Sequence, residues 1–166
     1  MRYSKNLEFW LSSILLILTI AFSFVAYYRW YSLTIFVGPY LLSHWLSLIG
    51  IIFITAFTPF YYILKRKKPK NCKTLLRIHV FGNLFSFLLI SVHFAQHVGR
   101  LALLVQKLGT GVFLFLILNI IVVTGILERF QIARRLKKHT IFLHRYILII
   151  FYFLVFIHTL QGLNFI

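Results

Sequence analysis

Long apolar stretches alternate with short polar ones along this 166-residue chain. Five stretches reach the roughly 18 mainly apolar residues that a helix needs to cross a bilayer. They cover about residues 9–28, 41–64, 75–98, 110–127 and 140–160. Gly38 and Pro39 interrupt the chain before the second stretch, Pro69 lies before the third, and Gly109 opens the fourth. The pattern therefore predicts an all-α fold, an integral membrane bundle of five transmembrane helices.

The composition agrees with a membrane protein and excludes several other classes. Apolar residues make up 61% of the chain, the mean hydropathy is +0.91, and Glu8 and Glu128 are the only acidic residues. A soluble domain of this size could not bury so much apolar surface. The chain contains no glycine-rich phosphate loop. Its single cysteine, Cys72, allows neither a disulfide framework nor a cysteine-ligated metal cluster within the chain.

The chain has a net charge of +16, and its basic residues lie mainly between the apolar stretches. Basic residues concentrate in the loops 65–70 and 134–138 and at the N-terminus, whereas the two other loops carry only Arg29, Arg100 and Lys107. The positive-inside rule then places the N-terminus in the cytoplasm and the C-terminus outside. We expect membrane lipid, and no nucleic acid, as the partner of these charges. A cleaved signal peptide is the competing interpretation of the first stretch, although no small-x-small cleavage site follows it.

Four histidines form two pairs with the same spacing. His79 and His93 lie fourteen positions apart in the third stretch, and His144 and His158 lie fourteen apart in the fifth. Fourteen residues make about four helical turns, so both members of a pair face nearly the same way, about 21 Å apart along the axis. Because the predicted third and fifth helices run in the same direction, His79 would lie level with His144, and His93 with His158. Two stacked b-type haems require one imidazole from each side at two depths.

Other interpretations of the histidines stay open. A membrane histidine can simply hydrogen-bond a neighbouring helix, or it can serve another metal or a proton path. His97 lies one turn after His93 and could replace it as a ligand, lie beside the outer haem edge or lie at the surface. His44 is expected at the outer end of the second helix, where it would pack at the interface or reach a haem propionate or an external acceptor. His139 belongs to a basic loop and is expected to be solvated.

Three further residues could take part in cofactor binding. Gly82, one turn after His79, would let a porphyrin approach the helix backbone, or it would serve helix–helix packing. Arg77 and Arg145 lie near the inner pair of histidines. Their guanidinium groups could pair with haem propionates, or they could extend to the cytoplasmic interface.

Several short motifs follow one another in a recognisable order. They are Thr58-Pro59 at the end of the second helix, Leu75-Leu76-Arg77 before the third, His93 with His97, Thr110-Gly111, and Leu143-His144-Arg145-Tyr146. In this order they resemble the ferric-reductase-like transmembrane domain of ferric reductases, NADPH oxidases and the haem subunit of bacterial methionine sulfoxide reductase systems. The resemblance covers about residues 41–160 and implies haem ligation by the paired histidines. Thirteen residues separate His144 from His158, where the family often has twelve, and Thr140 stands where it usually has tryptophan.

A weaker resemblance points to cytochrome b of the quinol-oxidising complexes. It rests on the two equal thirteen-residue gaps between histidines and on His79-x-x-Gly82. The core of that protein is a four-helix bundle, which the second to fifth helices would form here. We therefore expect an N-terminal transmembrane helix and outer loop at residues 1–40 and a four-helix haem-binding transmembrane core at residues 41–166.

The favoured hypothesis is a b-type dihaem membrane cytochrome that moves electrons across the membrane between partner redox proteins or small acceptors. Two haem b groups would bind without covalent links, because no Cys-x-x-Cys-His motif occurs. The chain lacks a flavin or nicotinamide fold, so a redox partner subunit, a hetero-oligomer and a place in a prokaryotic plasma membrane are expected. It would then be an electron-transfer subunit of an oxidoreductase. The alternatives are a non-redox structural or assembly subunit and a quinol-oxidising cytochrome b-like subunit.

Overall fold

The structure, a computed structural model, describes residues 2–30, 35–67, 72–101, 109–132 and 134–162. Within these ranges, five helices are long and apolar enough to cross a membrane. They are α1 (Arg2–Tyr27), α2 (Leu42–Lys67), α3 (Cys72–Leu101), α4 (Gly109–Phe130) and α5 (Lys137–Gly162). The predicted integral membrane helical bundle is confirmed. Residues 68–70 of the basic loop, which include Pro69, and Lys107 lie outside the described residues. The orientation of the termini stays a prediction.

A small β-hairpin precedes α2 and is the one departure from an all-helical chain in the described ranges. Strand β1 (Phe36–Val37) pairs antiparallel with β2 (Tyr40–Leu41). Gly38 has a φ of +64° in the two-residue turn, a conformation that glycine adopts without steric cost. The indole nitrogen of Trp45 donates a hydrogen bond to the carbonyl oxygen of Val37 over 2.8 Å. This bond ties the hairpin to the first turn of α2.

Helix α2 does not end at Thr58-Pro59, as the family resemblance implied. It continues through Pro59 to Lys67. A proline removes one backbone hydrogen bond, but transmembrane helices tolerate it because neighbouring groups satisfy the carbonyl that it leaves. The apolar residues that follow Pro59 are still part of the membrane-spanning segment, so the apolar pattern was the better guide to the end of this helix.

The first compact unit, Met1–Leu103, contains α1, α2 and α3, with α3 in contact with both other helices. On α2, the buried residues Ser43, Ser47, Gly50 and Ile54 recur at helical spacing. A methyl group on Gly50 would lie only 2.9 Å from the backbone carbonyl oxygen of Ser86 in α3. Glycine is therefore required for the close approach of these two backbones, as is typical of membrane helix pairs.

Helix α1 packs on α3 through one polar stripe. Glu8, Ser12 and Thr19 are buried, whereas Trp10 and Ile20 on other faces are 65% and 70% exposed and fit a lipid environment. The division of the chain at residue 40 was drawn for haem binding and stays a prediction. In the described structure, α1 belongs to the same compact unit as α2 and α3.

The second compact unit, Leu104–Ile166, contains the antiparallel helices α4 and α5. A 3₁₀ turn at Arg134–Leu136 directly precedes α5. Leu114, Leu118 and Ile121 are buried on α4, and Phe151 on α5 is completely buried. These positions recur every three or four residues, the spacing of a helix–helix seam. Both histidines predicted as ligands in α5 belong to this seam.

Candidate functional site

The second unit contains a repeat that matches the histidine pair of α5. Thr110-Gly111 begins α4 and Thr124-Gly125 lies fourteen residues later, the same interval that separates His144 from His158. Because the two helices are antiparallel, the second Thr-Gly pair meets His144 and the first meets His158. The predicted common face of the two histidines is thus the face that α5 turns towards α4.

The hydrogen bonds of His144 assign the position of its ring proton. Its Nδ1 lies 3.1 Å from the Thr124 hydroxyl oxygen and 3.1 Å from the backbone carbonyl oxygen of Ile121. A carbonyl only accepts, and the Thr124 hydroxyl donates its own hydrogen to the carbonyl of Ile120 over 2.7 Å. Nδ1 must therefore carry the proton, and Nε2 keeps the lone pair that can bind a metal ion.

His158, fourteen residues further along α5, has a similar arrangement. Its Nδ1 lies 3.1 Å from the hydroxyl oxygen of Thr110, and that hydroxyl donates its hydrogen to Gln161 Oε1 over 2.5 Å. In this orientation of the Gln161 carboxamide, the threonine oxygen can only accept from the histidine, which assigns the proton to Nδ1 and the lone pair to Nε2.

The glycine of each Thr-Gly pair makes room for the imidazole ring. A methyl group on Gly125 would lie 3.1 Å from His144 Cε1, and one on Gly111 would lie 3.3 Å from His158 Cε1. Any larger residue would push the ring away from the α4 backbone. Threonine fixes the ring orientation and glycine gives the space, at both levels of the helix pair. In the sequence, Thr110-Gly111 contributes only to the family resemblance, and the equal spacing of the second Thr-Gly pair is the signal that could have revealed this site.

In the first unit, His79 of α3 lies against α2. Its ring stacks on that of Tyr61, with centroids 4.5 Å apart and an interplanar angle of 13°. Asn83 Nδ2 lies 3.2 Å from His79 Nδ1. The two ends of a carboxamide exchange by a half-turn, so Asn83 can support either tautomer of the imidazole.

Gly82 faces the ring of Phe53 on α2, where a Cβ atom would overlap that ring. Of the two roles expected for this glycine, helix–helix packing is the one that these contacts support. A porphyrin at this face of α3 would require Phe53 to move.

His93 and His97 lie one turn apart on α3, and His44 joins them from the third residue of α2. The ring centroids are 4.4 Å apart for His93 and His97, 4.9 Å for His44 and His97, and 5.0 Å for His44 and His93. One ligand nitrogen from each of the three lies within 4.8 Å of the other two. The sequence identified His93 and His97 as neighbours but did not predict that His44 would join them.

The two arginines expected near the inner histidines have different surroundings. Arg77 Nε donates to Glu8 Oε1 over 2.7 Å. Glu8 is a buried carboxylate of α1, a partner that the sequence did not suggest. Arg145 is exposed, next to His144. His139 is exposed as expected, although it belongs to the first turn of α5 and not to a loop.

Comparison of the chain with models of protein families, with curated proteins and with solved structures finds no match. The likeness to the ferric-reductase-like domain therefore rests on the short motifs alone. His79 and His93 belong to the first compact unit and His144 and His158 to the second. Their pairing as axial ligands of the same haem stays a prediction.

Proposed function

We propose that this protein is a b-type dihaem membrane cytochrome that moves electrons across the membrane between partner redox proteins or small acceptors. The observation that carries the proposal is the twofold Thr-Gly environment of His144 and His158. Both rings have Nδ1 hydrogen-bonded to an oxygen and Nε2 available as a lone-pair donor. This is the state of histidine that binds a metal through Nε2, with an outer partner that fixes the ring.

The spacing of the ligands supports two haems in place of one. His144 and His158 are separated by fourteen residues, about 21 Å along a helix, and His79 and His93 repeat that interval on α3. Phe151, seven residues from each histidine of α5, is completely buried between the two levels. In this proposal, His79 and His144 hold the inner haem, and His93 and His158 hold the outer one, with His97 as the alternative to His93.

The donor set fits iron porphyrin better than the common alternatives. It consists of imidazoles in apolar helices, with no cysteine or carboxylate among the proposed ligands. Magnesium and calcium prefer oxygen ligands, and structural zinc takes four protein ligands at one point, not ligands spread over two depths. Bound haem b would supply a reversible one-electron change between ferrous and ferric iron.

The residues of this chain would hold the ligand imidazoles in position and exclude water from them. The hydroxyls of Thr110 and Thr124 accept hydrogen bonds from the Nδ1–H groups, which holds the rings and makes the opposite nitrogens more basic. Gly111 and Gly125 let the rings stand close to the α4 backbone. The apolar spans keep bulk water from the ligands. The chain has no nucleotide-binding motif, so electrons would come from a redox partner subunit, most simply in a prokaryotic plasma membrane.

Haem content tests the proposal directly. Protein purified from haem-replete cells is expected to contain two haems b per chain by pyridine haemochrome assay, with sharp bands in the reduced-minus-oxidised spectrum. H144A and H158A should each retain one haem, and H139A, which changes an exposed histidine of the same helix, should retain two. A colourless protein with native helicity would contradict the proposal and favour a non-redox structural or assembly subunit.

A further inference from the structure

Three imidazoles converge near one end of the α2–α3 pair, and the dihaem proposal uses at most one of them. His93 and His97 are separated by four residues, so they lie on the same face of α3 one turn apart. His44 reaches them from the start of α2. All three rings are partly buried, and one nitrogen of each lies within 4.8 Å of the others.

The distances between the rings suit a shared metal ion. Three imidazoles on one tetrahedral zinc ion, with Zn–N bonds of about 2.0–2.1 Å, have ring centres roughly 5 Å apart. The observed centroid distances are 4.4, 4.9 and 5.0 Å. The ring planes are inclined by 55° to 79° and are not stacked, as for rings that point their edges at a common centre. Small rotations of the side chains would bring the three nitrogens to bonding distance of a single ion.

We propose that His44, His93 and His97 form a site for one divalent transition-metal ion. Three neutral imidazoles without a carboxylate select zinc, copper, cobalt or nickel over magnesium and calcium, which need oxygen ligands. Partial burial leaves a fourth position for water, as in open three-histidine sites. The site differs in residues and in donor geometry from the two Thr-Gly histidines of α5, which lie fourteen residues apart and share no contact of this kind.

This site does not depend on haem binding, although it shares His93 with the proposed outer haem. One nitrogen of His93 cannot serve both iron and a second metal ion. The test therefore uses the full chain purified from cells that are starved of haem precursors, in detergent and stripped of metal with a chelator. Haem content is measured separately on protein from haem-replete cells, so that the two proposals stand or fall independently.

Cobalt is the probe, because tetrahedral Co²⁺ has visible d–d absorption and Zn²⁺ displaces it. Wild-type protein is expected to bind one equivalent of Co²⁺ with these bands, and an equivalent of Zn²⁺ should abolish them. Loss of a residue that only hydrogen-bonds a ligand weakens metal binding about 10–100-fold. H44A should weaken cobalt binding by more than this, because it removes a direct ligand. H139A is the matched control and should bind Co²⁺ as the wild type does.

His44 is the informative position because it is not among the proposed haem ligands. Far-UV circular dichroism of each variant checks the fold, and H97Q provides a second loss of ligand that is milder in packing. Wild-type protein that binds no cobalt, or H44A and H97Q proteins that bind it with wild-type affinity, would overturn the metal site. Cobalt binding by a chain that takes up no haem would support the metal site and contradict the dihaem proposal.

Discussion

The chemistry of the α5 histidines depends on which oxygen accepts the hydrogen bond from each Nδ1–H group. His144 has two acceptors for Nδ1, the hydroxyl of Thr124 and the carbonyl of Ile121. For His158, the acceptor in the described structure is the hydroxyl of Thr110. A hydrogen bond from Nδ1 raises the basicity of Nε2 and so favours ferric iron over ferrous. The two levels therefore differ in how strongly a single threonine controls the ligand.

Replacing each threonine with valine tests this difference while it keeps the shape of the side chain. In the dihaem proposal, T110V removes the hydroxyl that accepts from His158 and should weaken binding of the outer haem about 10–100-fold and raise its midpoint potential. T124V leaves the Ile121 carbonyl in place and should have a smaller effect on the inner haem. Redox titration and haem quantification of both variants measure the two effects.

Serine at the same positions keeps the hydroxyl and is the matched control. T110S and T124S should retain haem content and potentials near those of the wild type. Equal behaviour of T110V, T110S and wild-type protein would show that the hydroxyl has no part in ligand binding.

The packing of α2 against α3 is decided by small residues and one aromatic ring. Gly50 brings the two backbones together at Ser86, and Gly82 receives the ring of Phe53. Membrane helices associate through such close contacts, because lipid leaves no hydrophobic gain from burying one apolar surface against another. This helix pair also sets the positions of His44, His79 and His93 in the first unit. Packing and ligand geometry are therefore coupled in these two helices.

A double-mutant cycle at Gly82 separates a packing role from a porphyrin-binding role. G82A should destabilise the protein by about 1–3 kcal/mol, because its methyl group overlaps the Phe53 ring. In an F53A background, the same substitution should cost little. Denaturant unfolding in detergent micelles, followed by circular dichroism, measures the coupling.

G162A is the control for this cycle, since a methyl group at Gly162 meets nothing within 4 Å. If Gly82 instead makes room for a porphyrin, G82A will lose haem in both backgrounds, whether or not Phe53 is present. That result would reject the packing assignment.

At the scale of the whole molecule, the dihaem proposal requires each ligand of the first unit to act with one of the second. H79A and H144A are expected to lose the same haem, and H93A and H158A the other one. This follows because the predicted topology makes α3 and α5 parallel. Potentiometric and low-temperature spectra of the four variants distinguish the two haems. Loss of one common haem in H79A and H158A would contradict parallel helices.

Dependence on a redox partner is a second prediction for the whole chain. The sequence carries no flavin or nicotinamide fold, and its basic loops suit anionic lipid or an acidic docking partner. We expect dithionite to reduce the haems of the purified protein and NADPH to leave them oxidised in a stopped-flow assay. Rapid reduction by NADPH alone would reveal a nucleotide site and contradict this expectation.

The helices and the spacing of their histidines could be read from the sequence because both are local properties. An apolar run of about 20 residues has to become a transmembrane helix, whatever surrounds it, since its backbone polar groups have no other partners in lipid. Equal intervals of fourteen residues likewise put His144 and His158 on one face of α5. The two Thr-Gly pairs that contact this face are also repeated in the sequence. Their role beside the histidines follows only from the contact between α4 and α5.

The sequence by itself determined five membrane helices, the interruption at Gly38 and Pro39 before the second, and the two histidine pairs with equal spacing. Tertiary structure decided which side chains meet, because a contact depends on the rotation and register of two helices and not on either alone. It brought His44 to His93, gave Arg77 the buried carboxylate of Glu8, and filled the space at Gly82 with Phe53. It also carried α2 through Pro59, where neighbouring groups outweigh the local preference of proline.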